Sequence, residues 1–122
     1  MASLNPGRSE AGDDLPIDFE HLQSFTLGNR NLEREVLTLF RDQSRLCIDR
    51  LRSAADDKSW KEAAHTLKGS ASGIGAWAVR DATEKAERLA GPARIVDGTA
   101  AITAVESAVD ETDVFIAQFL NE

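Results

Sequence analysis

Apolar residues in this chain recur every three or four positions through four separate segments, and no β-branched run alternates them with polar ones. That period belongs to helices with one buried face, so the spacing predicts an all-α protein. The first long segment, about Asn31 to Ala55, carries a stripe of Leu32, Val36, Phe40, Cys47, Leu51 and Ala55, flanked by Leu37 and Ile48 and interrupted by Ser44. The second covers Trp60 to about Gly75, and the third Trp77 to Ala90 with Val79, Ala82, Ala86 and Leu89 inward. The last runs from Asp97 to Leu120, with Ile102, Val105, Val109, Thr112, Ile116 and Phe119 in one row. A shorter helix opens at Asp18, a natural N-cap, and places Phe19, Leu22 and Phe25 on one side. Leu27-Gly28-Asn29, the turn Ala55 to Lys58 and Gly91-Pro92 separate these segments, with Asp57 or Ser59 available to cap the second. Four long amphipathic helices on short turns predict an antiparallel up-down four-helix bundle, the short N-terminal helix covering one end.

At 122 residues the chain suits one domain. Residues 1–16 hold almost no large apolar side chain and are expected to be a disordered tail, leaving residues 17–122 for the bundle. A formal charge of -7 argues against a nucleic-acid surface. No uninterrupted apolar run approaches the roughly 18 residues of a membrane span, and the start lacks the apolar core of a secretory signal, so the cytoplasm is the expected compartment. The single Cys47 lies on an apolar stripe and is expected to be buried packing. Two separated histidines and one cysteine make poor material for a metal site, and the inward positions lack the Glu-x-x-His pairs of metal-binding bundles.

Within the second segment, Trp60, Ala63, Ala64, Leu67, Ala71 and Ile74 fall on the inner side of a helical wheel, and His65 falls on the outer one. A solvated imidazole titrates near 6.5, is largely neutral at neutral pH and can attack through a ring nitrogen. Lys68, three residues on, shares that face and supplies positive charge suited to a phosphoryl group. Gly69 leaves room for a large body to approach, whereas a mid-helix glycine costs about 1 kcal/mol relative to alanine. A lone outward histidine is otherwise a plain solvated residue, which is the expectation for His21. The run His65-Thr66-Leu67-Lys68-Gly69-Ser70-Ala71, followed by Gly75-Ala76, resembles the signature of the histidine-containing phosphotransfer (HPt) domain of bacterial two-component phosphorelays. Leu27-Gly28-Asn29, Trp60, Val79, Ala82, Ala86 and Glu87 also fit that family's layout, over roughly residues 18 to 120.

The resemblance implies a carrier whose His65 accepts a phosphoryl group from a receiver-domain aspartate or a hybrid histidine kinase and passes it to the aspartate of a response regulator. It implies charge neutralisation by Lys68, clearance at Gly69, and a docking rim including Lys61 and Ser72. Glu87 either accepts a hydrogen bond from the second imidazole nitrogen or is an ordinary solvated carboxylate. No intrinsic cofactor is expected, because the magnesium ion and acidic pocket belong to the receiver. The chain has no Walker-type loop and no kinase signature set, so it is expected to be a carrier and not an ATP-using enzyme. A monomer is expected, and the polar tail suits a free-standing protein. Two rival readings are a helical adaptor that docks on a receiver without transfer and a receiver phosphatase. The pairing of His65 with Lys68 speaks against the first, and Thr66, standing where a phosphatase would carry a carboxylate or amide, against the second.

Overall fold

Three residues that can accept a backbone N–H through a short side chain stand immediately before helices, as the four unsatisfied donors of a helix start require. A computed structural model describes residues 15–121 of the chain, so the tail expected over residues 1–16 lies outside the described residues except for its last two. Asp18 accepts from the His21 N–H at 3.2 Å and opens α1, Phe19–Thr26. Asn29 accepts from the Leu32 N–H at 3.0 Å and opens α2, Arg30–Ser53. Asp56 accepts from the Ser59 N–H at 2.8 Å and opens α3, Asp57–Ile74. Two shorter connections lead into α4, Trp77–Glu87, and α5, Pro92–Leu120. Among the described residues all regular structure is helical, and no helix is long and apolar enough to cross a membrane.

Several boundaries differ from the sequence expectation for identifiable reasons. The cap of α3 is Asp56, while Asp57 sits in the first turn and its carboxylate accepts from Arg94 Nε at 2.6 Å and the Gly91 N–H at 2.9 Å. Helix α4 ends at Glu87 and not at Ala90. Gly91-Pro92, expected to stop α4, instead starts α5 five residues before Asp97, because a proline's missing N–H and fixed φ suit the first helical turn. Gly98 is therefore inside α5, packed beneath the Trp60 ring, where an added Cβ would stand 3.6 Å from the indole.

Helix α2 packs on α3 and α5, and α4 packs on α3 and α5, so the four long helices form a closed circuit around one core. Leu37, Phe40, Cys47, Ile48 and Leu51 of α2 meet Leu67 of α3, Val79 of α4, and Val105, Val109 and Ile116 of α5 there. Leu32 and Val36, the first two residues of the expected α2 stripe, are only half-buried, so that helix is rotated toward Leu37 and Ile48. Three of its arginines tie it to α5. Arg45 reaches Asp110 and Asp113, each at 2.7 Å, Arg52 reaches Glu106 at 2.5 Å, and Arg34 donates to the Leu120 carbonyl at 2.9 Å, pairs in which rising numbers on α2 meet falling numbers on α5.

Helix α1 is tied to the far end of α3 by Asp18. Its N–H donates to the Gly75 carbonyl at 2.9 Å, and its carboxylate also accepts from Trp77 Nε1 at 3.0 Å. Thr26 Oγ1 donates to the buried Glu33 carboxylate at 2.8 Å. Of the three apolar residues expected on the inner side of α1, Leu22 is buried and Phe19 half-buried, but Phe25 is 52% exposed. His21 is half-buried, with its ring edge-on to Trp77 at 4.9 Å.

Candidate functional site

The inner face of α3, Trp60, Ala63, Ala64, Leu67, Ala71 and Ile74, is buried throughout. Trp60 fixes the helix further by donating its Nε1–H to the Ala86 carbonyl of α4 at 2.7 Å. With that face pinned, the 3.6-residue period leaves His65 outward, and its side chain is 70% exposed. Gly75, in the left-handed region at φ +78, ends the helix, and its N–H serves the last-turn carbonyls.

The tight α3–α4 turn returns the chain along α3 and brings Glu87 beside His65. Glu87 Oε2 lies 3.0 Å from His65 Nδ1, and Glu87 Oε1 lies 2.7 Å from Lys68 Nζ. The Glu87 side chain is only 13% exposed. As the last residue of α4 it also sits at the negative end of the helix dipole, the unfavourable end for a carboxylate. The ammonium offsets both costs: the hydrogen bond from Lys68 foremost, then that from His65, holds the Glu87 carboxyl below the usual glutamate range against the opposing effect of burial. An ionised Glu87 accepts only, so the proton of a neutral His65 belongs on Nδ1 and the Nε2 lone pair faces outward.

Lys58, Lys61, Glu62, Thr66 and Glu87 surround the ring in an open concavity of about 420 Å³. The structure thus brings His65, Lys68 and Glu87 into direct contact, places Lys61 on the same rim, and leaves Ser72 half-buried outside that concavity. Gly69 is exposed, and a Cβ added there meets nothing within 4 Å. Lys58 was not anticipated as part of the rim, although its place one turn before Lys61 and two before His65 was a readable signal. Also unanticipated is a neighbouring groove of about 350 Å³ in which Phe25, Val36, Leu39 and Gln43 face Thr66, Ser70 and Gly73. Leu39, a large apolar residue of α2 outside the expected stripe, was its trace in the sequence. Among the described residues no group of three or more His, Cys, Asp or Glu is placed to hold a metal ion.

An outward imidazole with one nitrogen held by a carboxylate is a nucleophile of fixed tautomer, and the lysine one turn on can meet an incoming anion. Comparison with known proteins agrees with that chemistry. No curated protein and no solved structure matches the chain. The family model described as the Hpt domain matches residues 35–119, which include α3, α4 and most of α2 and α5. The chain belongs to the Hpt domain family.

Proposed function

We propose that the chain is a phosphorelay intermediate in which His65 Nε2 accepts a phosphoryl group from the aspartyl phosphate of a receiver domain, or from a hybrid histidine kinase, and passes it to the aspartate of a response regulator. The observation that carries this reading is the exposed His65 ring with Nδ1 held at 3.0 Å by Glu87. In the transfer an N–P bond forms at Nε2 as the O–P bond to the aspartate breaks, and the aspartate leaves as its carboxylate. The Nδ1 proton stays against Glu87, whose charge stabilises the imidazolium-like ring formed at the transition state. Phosphoryl transfer relies on positioning and charge, which suits a carrier with a rigid helix and no ATP-binding motif.

Lys68 takes the role of neutralising charge on the phosphoryl oxygens, and Gly69 that of clearance for the receiver. Lys61 belongs to the docking rim, and Ser72, further along α3, to its margin. The receiver supplies the magnesium ion and acidic pocket, and this chain needs no cofactor of its own. Residues 17–122 form the transferring unit, an antiparallel up-down four-helix bundle with α1 over one end, acting as a cytoplasmic monomer. Incubation with a phosphorylated receiver should give an acid-labile, base-stable label on His65. His65→Gln should abolish the label and keep the helical circular-dichroism signal. Label retained in that variant would place the acceptor elsewhere and refute the assignment.

A further inference from the structure

We propose that Lys61, with Lys58 one turn behind it, binds the phosphoryl group carried on His65 Nε2, so that the group is held from the N-terminal side of the imidazole and not by Lys68 alone. This rests on the phosphotransfer reading above and gives Lys61 a part beyond the docking rim. Every Cα–Cβ bond of an α-helix tilts toward the N-terminus, so a long side chain covers the turn that precedes it. The His65 ring therefore lies over the turn that holds Lys61 and Glu62. The concavity around the ring has the same bias: its walls are Lys58, Lys61, Glu62, Thr66 and Glu87, and Lys68 stands outside it.

Lys68 leans the same way and ends on Glu87 Oε1 at 2.7 Å, its side chain 29% exposed. Glu87 Oε2 holds Nδ1 at 3.0 Å, and Nε2 points away from that bond. Lys68 is thus engaged beside the held nitrogen, and charge that it lends to a phosphoryl group draws on its bond to Glu87. Lys61 is under no such claim. It and Lys58 are exposed, and among the described residues neither makes a hydrogen bond or ion pair. Lys61 precedes His65 by four residues, a spacing that puts two side chains about 5–6 Å apart at Cβ on one helix face. From there a flexible ammonium reaches oxygens attached to Nε2.

The charges around the concavity give the effect a sign. Lys58 and Lys61 face one unmet carboxylate, that of Glu62, because Glu87 is already matched by Lys68 and the imidazole. The arriving phosphoryl group, with its two negative charges, meets a wall that is net positive. Glu62 is the charge that opposes it.

The test uses the full chain and a receiver that labels His65, and reads how the label divides between the receiver aspartate and His65 at equilibrium. Lys61→Gln should move that ratio toward the receiver roughly two- to fivefold, the range of an exposed ion pair. Lys61→Arg should restore it, Glu62→Gln should move it the other way, and Lys85→Gln, on the α4–α5 side of the bundle, should leave it unchanged. A lysine that only docks the receiver would slow transfer in both directions and leave the ratio alone. A second arm omits the receiver and labels the chain with phosphoramidate, whose N–P bond breaks to release ammonia as the bond to Nε2 forms. Nitrogen-15 NMR should then show the Lys61 Nζ signal shifting on labelling and returning on hydrolysis. An unmoved ratio in Lys61→Gln and an unmoved Nζ signal, with His65 labelled by the receiver, would overturn this proposal alone. A shifted Nζ signal with no receiver able to exchange phosphate with His65 would support the Lys61 contact and overturn the transfer reading. A His65 that neither donor labels would refute both.

Discussion

Replacing Glu87 with glutamine tests the site at its most informative atom. Glu87 presents one oxygen to Lys68 at 2.7 Å and the other to His65 Nδ1 at 3.0 Å. Lysine only donates, so the glutamine carbonyl must turn to Lys68 and its NH2 group to the imidazole. Nδ1 then becomes the acceptor, the ring proton moves to Nε2, and the outward nitrogen loses its free lone pair. A hydrogen bond to a charged group contributes about 1.5–3 kcal/mol. Because the His65 side chain is 70% exposed and water competes for the ring, the lower end applies. At about 1.36 kcal/mol per tenfold, the competent tautomer and the transfer rate should each fall roughly tenfold in Glu87→Gln. Nitrogen-15 NMR of the imidazole reads the tautomer directly, and quench-flow with a phosphorylated receiver reads the rate. The same tautomer in both proteins with equal rates would refute the argument that Glu87 directs the reacting nitrogen.

Three further outcomes follow from the geometry. Because the Glu87 carboxyl titrates below its ordinary value, with Lys68 the largest cause, its contacts contribute stability above the unfolded value of about pH 4.3, and this is lost as pH falls through the folded value. Lys68→Met should accordingly move the Glu87 midpoint upward in a carbon-13 carboxyl titration, and an unmoved midpoint would exclude the ammonium as the cause. Gly75→Ala should destabilise the fold by about 1–3 kcal/mol in urea denaturation, since it forces a side chain into φ +78 with its Cβ 3.0 Å from Asp18; unchanged stability would mean the turn relaxes freely. Thr26→Val removes the donor from the Glu33 carboxylate, which is 4% exposed, and should cost about 1–3 kcal/mol in the same assay, with no loss arguing that another donor replaces it.

Much of the site was legible because a helix converts spacing into direction. His65 outward, Lys68 beside it, and Trp60, Leu67 and Ile74 inward all follow from the 3.6-residue period, and the structure places each of them so. Glu87 could be offered only as one of two readings. It lies 22 residues from His65, and its contact depends on the α3–α4 turn and on how the two helices are staggered. Asp57 pairing with Arg94 is the same kind of case: the carboxylate looked like a cap until the start of α5 came within reach of it.

The α2 stripe shows the remaining division. The sequence determines that α2 is a helix with a broad apolar sector, but Leu32, Val36 and Leu39 compete with Leu37 and Ile48 for the interior, and local pattern does not choose among them. The choice fell to the neighbours: α2 packs against both α3 and α5 in the orientation that buries Leu37 and Ile48 and leaves Leu39 at the surface. The sequence by itself thus determined helix, face and the outward direction of the His65 imidazole, because those depend on interactions within a few residues. The tertiary structure alone decided which carboxylate holds the ring and which apolar side chains remain exposed beside it, because those depend on how separate helices turn and slide against one another.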